Sequence, residues 1–155
     1  MKIVSKFDLT NKEKDQIYNL WNTEYPEKLS FKSPIEFDNY LNNLSNVIHY
    51  TVQDEFGLIQ AWAITFIREN EKWFAIIINS NFHRKGIGTQ ILNLLKSLEI
   101  NLSGWVIDHN RDLKLDGTSY LSPIDFYMKN GFSICNDIRI KSEKISALKI
   151  VWKKY

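Results

Sequence analysis

The sequence is short of the residues that build crosslinks and metal centres. Cys135 is its only cysteine, so no internal disulfide can form, no thiolate cluster can hold a metal, and a reducing compartment is the fitting one. On a predicted strand, that cysteine is expected to serve as a small buried apolar residue rather than a nucleophile. His49, His83 and His109 are far apart and make neither a His-Glu-x-x-His string nor a Cys/His pair, so no metal is expected. Nowhere does an apolar run approach the roughly 18 residues of a membrane span. The opening Met1–Asp8 lacks the apolar core of a signal peptide, and the expectation is a soluble cytoplasmic protein. Charge of one sign is also missing: 20 basic against 18 acidic side chains, dispersed along the chain, give a net +2 that calls for neither nucleic acid nor an anionic membrane. With three prolines and six glycines there is no linker-like stretch, and no repeat is evident. Residues 1–155 are therefore expected to form one domain, and 44% hydrophobic residues suffice to close its core.

What the chain does have is concentrated in two segments. In the first, the continuous apolar run Trp73–Ile78 reads as a strand buried on both faces, and Ile87, Ile91, Leu94, Leu95 and Leu98 follow at helical spacing. Between them lies Asn79-Ser-Asn-Phe-His83-Arg84-Lys85-Gly86-Ile87-Gly88-Thr89. The first N–H groups of a helix have no intrahelical acceptor and sit at the positive end of its dipole. Gly86 and Gly88 would let a ligand approach that backbone, and Arg84 and Lys85 add full positive charges, so a diphosphate is the natural guest. The Walker string Gly-x-x-x-x-Gly-Lys-Ser/Thr is absent, and Ile91 stands where a dinucleotide fingerprint needs its third glycine.

The second segment is Ser122-Pro123-Ile-Asp125, which reads as a helix start with a Ser cap and Pro at the first helical position, closed by Gly131. Its helix carries Phe126-Tyr127-Met-Lys129-Asn-Gly131-Phe132. A tyrosine phenol, with an ordinary pKa of about 10, is suited to protonating a departing thiolate.

Together these segments resemble the GNAT superfamily of acyl-CoA-dependent N-acetyltransferases, whose pyrophosphate loop reads Gln/Arg-x-x-Gly-x-Gly/Ala and whose later helix reads Phe-Tyr-x-Lys-x-Gly-Phe. His83 takes the Gln/Arg position, with Arg84 one place later. The periodicities run in the order β-α-α-β-β-β-α-β-α-β-β, with capping signals at Thr10–Glu13 and Ser33–Glu36 opening the first two helices. The resemblance implies an α/β (α+β) fold: a mixed, mainly antiparallel sheet flanked by helices, whose central strands splay to receive acetyl-CoA. It further implies that Arg84, Lys85, Gly86, Ile87, Gly88 and Thr89 meet the diphosphate, and that Ile77, Ile78 and Asn79 bond the pantetheine arm and polarise the thioester. Asn110 would stand near the cofactor and Tyr127 would act as the acid.

A base is not evident, because Trp73–Asn79 contains no carboxylate. Asp108 or His109, ending a short strand at the expected cleft, would take the amine proton directly or through water, or the amine would lose it to solvent. Glu24, Tyr25, Glu27 and Phe31, with the insertion Asp112–Tyr120, would border an acceptor that is a small-molecule or peptide amine. The reading is an N-acetyltransferase, monomeric or homodimeric. The alternative is a non-catalytic acyl-CoA-binding sensor or interaction module.

Overall fold

The computed structural model describes residues 2–155. Its seven strands, β1 (Ile3–Lys6), β2 (Ser45–Gln53), β3 (Ile59–Arg68), β4 (Glu71–Ile78), β5 (Asn101–Ile107), β6 (Ser133–Lys141) and β7 (Ser146–Lys153), make one sheet in the order β1-β2-β3-β4-β5-β7-β6. Every neighbouring pair is antiparallel except the central one, β4 with β5. The helices are α1 (Asn11–Glu24), α2 (Pro34–Asn42), α3 (Ile87–Leu98) and α4 (Ile124–Lys129), and two 3-10 turns lie at Glu27–Leu29 and Ser80–Phe82. The order of strands and helices is the one that the sequence periodicities predict.

The period of two along β3 divides the core. Trp62, Ile64 and Phe66 face one side, where they meet Ile17, Leu20 and Trp21 of α1 and Phe37 and Leu41 of α2. Ala61 and Ala63 face the other, where α3 and α4 pack with Phe74, Leu102, Val106 and Ile150. Strand β4 serves both cores, Trp73 and Ile77 on one face and Phe74 on the other, as its unbroken apolar run requires. Local signals set the helix starts. Thr10 and Glu13 close a reciprocal capping box at α1, whereas at α2 Ser33 accepts from the Glu36 amide without the return bond.

Some sequence expectations need correction. In α3 Leu92 is fully buried together with Ile91 and Leu95, whereas Leu98, in the last turn, is 57% exposed. Cys135 is only half-buried, since β6 is an edge strand with an open outer side. Glu71 is the first residue of β4 and is ion-paired with Lys149 at 2.8 Å. Pro123 precedes α4 by one residue instead of opening it. Ser122 spans the junction, donating to the Ile107 carbonyl and accepting from the Ile124 amide at 3.3 Å.

Candidate active site

Strands β4 and β5 pair at a single position, Trp73 with Ser103, and beyond it no ladder joins them. Because they run parallel, their C-terminal ends open at the same end of the sheet, leaving a gap. Hydrogen bonds of an antiparallel ladder alternate, and the Asn79 amide donates to the Gln60 carbonyl at 2.8 Å. Asn79 and Ile77 therefore spend their main-chain groups on β3, while Ile78 and Ile76 turn theirs toward the gap. Of the three expected pantetheine contacts, only Ile78 presents its amide there; Ile76 joins it, which the apolar run gave no means of seeing. The Ile78 carbonyl already meets His83 Nε2 at 2.8 Å.

At the mouth of the gap the chain makes the 3-10 turn Ser80–Phe82 and enters α3 through Gly86, whose φ of +80° lies in the left-handed region that favours glycine. Among the described residues no side chain caps α3, and its first main-chain bond is from the Gln90 amide to the Gly86 carbonyl. The N–H groups of Ile87, Gly88 and Thr89 are thereby left for an anion. Among the described residues nothing lies within 4 Å of where a Gly86 side chain would point, so that side is open. Gly88 has a packing role beside the one expected of it. A Cβ there would stand 2.8 Å from Phe126 Cζ and 3.2 Å from Ile78 Cδ1, so the missing side chain brings α3, α4 and β4 together. Arg84 and Lys85 are exposed, Arg84 at φ +62° and the Lys85 ammonium 5.1 Å from the Phe82 ring centroid.

Tyr127 is 8% exposed on α4, with its ring edge-to-face against Phe74 at 5.7 Å and Phe132 at 5.5 Å. Burial, reinforced by neighbouring Tyr120, holds its phenol well above the usual pKa, so it stays protonated. Among the described residues nothing hydrogen-bonds this hydroxyl, which leaves its proton to give.

The other expected site residues are committed elsewhere. Both Asp108 oxygens bond Arg139, at 3.0 and 2.8 Å, and this guanidinium holds the carboxyl below its ordinary range, which makes it a poor base. Arg139 reaches it because β6 bulges between Cys135 and Arg139. His109 accepts the Arg111 amide on Nδ1 at 3.1 Å, which leaves the proton of the neutral ring on Nε2, 3.9 Å from Asp112. Neither nitrogen is then free to take an amine proton. The ring does line a cleft of about 190 Å³ with Lys28, Asp112 and the β6–β7 turn. Asn110 accepts the Ser122 amide at 2.7 Å and ties together the ends of the insertion.

In place of these candidates the fold brings up Glu24. This last residue of α1 is 9% exposed and accepts from the Ser80 amide at 3.2 Å, from the Ser80 hydroxyl, and from Lys114 Nζ at 3.3 Å. A buried carboxylate thus sits where β4 ends, although β4 has none of its own near the gap. Sequence reasoning placed Glu24 only on the acceptor border. The contacts that define it span 56 and 90 residues, beyond any local pattern. Tyr25 and Tyr120 flank it, ring centroids 6.2 Å apart, and burial raises both phenol pKa values.

No protein-family profile matches the chain, and no curated protein sequence does either. Solved structures do. An aminoglycoside 6'-N-acetyltransferase complexed with coenzyme A superposes with a TM-score of 0.74 at 16% identity, covering 100% of this chain and 98% of the other. A GNAT superfamily phosphinothricin acetyltransferase from Sinorhizobium meliloti, in complex with AcCoA, gives 0.68 at 14%, covering 99% and 89%. A spermidine N-acetyltransferase from Vibrio cholerae gives 0.66 at 15%, covering 99% and 95%. This chain has the GNAT fold.

Proposed function

We propose that the protein is an acetyl-CoA-dependent N-acetyltransferase that passes an acetyl group directly to a primary amine, working in the cytoplasm as one domain over residues 1–155, monomeric or homodimeric. The observation that carries this reading is the convergence on one gap. The uncapped start of α3, the free main-chain groups of β4, a protonated buried tyrosine and a buried carboxylate all adjoin the parting of β4 and β5. The acetyltransferases of like fold, two of them complexed with coenzyme A or AcCoA, support it. The free Cys135 fits a reducing compartment.

The amides of Ile87, Gly88 and Thr89, with Arg84 and Lys85, hold the diphosphate, and the Ile78 main chain lies along the pantetheine arm. The acceptor nitrogen, its proton taken by Glu24, attacks the thioester carbonyl. The C–N bond forms, the carbonyl oxygen carries the developing charge, and the C–S bond breaks as Tyr127 gives its proton to the sulfur. Asp108 and His109 shape the acceptor side without exchanging the proton.

Free-thiol release from acetyl-CoA, followed across amines, polyamines, amino acids and peptides, tests this reading. Amine-dependent release is the expected result. Binding of CoA with no amine-dependent release from any of them would favour the non-catalytic acyl-CoA-binding module.

A further inference from the structure

The acetyl-transfer chemistry leaves one half-buried lysine unexplained. Lys114 belongs to the Asp112–Tyr120 strap, a small turn closed by the Lys114 amide on the Thr118 carbonyl at 2.8 Å and the Gly117 amide on the Lys114 carbonyl at 2.9 Å. The strap is tied across the acceptor side to the end of α1 by a bridge between Pro26 and Lys114 and by the Glu27 amide on the Leu113 carbonyl at 2.8 Å. From there the Lys114 side chain, only 15% exposed, carries its ammonium inward to 3.3 Å from Glu24 and 3.2 Å from the Ser80 hydroxyl. Ordering a lysine side chain costs entropy, and a surface ion pair returns little for it. A buried carboxylate, however, demands a cation. Glu24, fixed by both donors of Ser80, is a seat for a primary ammonium, and Ser80 opens the turn two residues beyond the end of β4, the strand that faces the gap.

We infer that Glu24 and Ser80 receive the ammonium of the acceptor, and that Lys114 occupies this seat as an internal competitor which the acceptor displaces. This rests on the acetyltransferase reading for its consequence in turnover, though not for the seat itself. The ligand class follows from the occupant: an unbranched alkyl chain ending in a primary ammonium fits, because a lysine side chain already does. A displaceable occupant lowers the apparent affinity for the acceptor by the fraction of molecules whose seat is empty.

The probe is n-butylamine, which reproduces the lysine side chain. In protein with 15N-labelled lysine ammonium groups, the Lys114 resonance is identified by its loss in Lys114→Met. Without acetyl-CoA, n-butylamine should move it to the position of exposed lysines such as Lys12. In turnover, Lys114→Met and Lys114→Ala should lower KM for n-butylamine by roughly three- to tenfold with kcat unchanged, and Lys114→Arg, which keeps a cation in place, should not. Glu24→Gln should weaken n-butylamine binding at least about tenfold by removing the charged partner. A Lys114 resonance unmoved at saturating n-butylamine, or a KM indifferent to Lys114→Met, overturns the inference while leaving the acetyltransferase reading intact. Displacement of Lys114 without acetyl transfer to any amine establishes the ammonium seat and removes the acetyltransferase reading instead.

Discussion

At the scale of single residues, the same chemical group acquires different roles from its surroundings. Tyr127 and the other buried tyrosines keep their protons because burial disfavours the phenolate. In Tyr127, edge-on contacts with Phe74 and Phe132 fix the ring while the hydroxyl remains unpartnered among the described residues. Tyr127→Phe keeps those ring contacts and deletes the donor. Turnover should fall by roughly ten- to ten-thousand-fold while CoA affinity, read by calorimetry, stays within about twofold. Undiminished turnover with an acceptor for which chemistry limits the rate would assign the proton to water. Carboxylates divide in the same manner: Asp108 is spent on Arg139, whereas Glu24 keeps a displaceable ammonium as its partner.

At the scale of elements, the junction of β4 and α3 decides whether an anion can bind. Gly86 starts α3 with no capping side chain and with open space beside it, so a substitution there tests charge without a collision. Saturating CoA should raise the melting temperature of the wild-type protein by mass action. In Gly86→Asp the carboxylate would face the phosphates, and the CoA-induced shift should vanish. Gly86→Asn, of the same shape and equally tolerant of a positive φ, should retain part of it. Equal shifts in the wild type and Gly86→Asp would place the diphosphate elsewhere. Gly88 belongs to a separate class, because Phe126 of α4 fills the space over it. The two glycines are alike in sequence, yet the space beside Gly86 is open and that over Gly88 is filled by Phe126 of α4.

At the scale of the whole molecule, stability should depend on pH through a residue remote from the site. His49 on β2 is 5% exposed, stacks on Trp62 and accepts that indole N–H at 3.1 Å on Nδ1, an arrangement that needs the neutral ring. Burial lowers its pKa from 6.5 to about 4. The unfolded chain therefore binds a proton first as pH falls, so the contribution is complete above pH 6.5 and is lost between there and pH 4. Urea unfolding should give a stability about 2 kcal/mol lower at pH 5 than at pH 7. Glu13 and Asp108 are held below their ordinary values and stay ionised across that range, so they do not share in this loss. A flat stability between pH 7 and 5 would show that the ring takes up a proton as readily in the fold as in the unfolded chain.

Patterns confined to one element were legible in the residues themselves. The double-sided β4, the capping box at Thr10–Glu13, the glycine-led opening of α3 and the helix around Tyr127 each depend on neighbours within about four positions, where backbone geometry and hydrogen-bond demand dominate. From these the order of elements followed, and with it the expectation of an anion at the start of α3. Tertiary structure alone decided which main-chain groups of β4 face the gap, that Gly88 meets Phe126, that a bulge in β6 delivers Arg139 to Asp108, and that Glu24, Ser80 and Lys114 share one point. Their physical reason is the same: burial obliges a charged or polar group to find a partner wherever the fold supplies one, however distant that partner is along the chain.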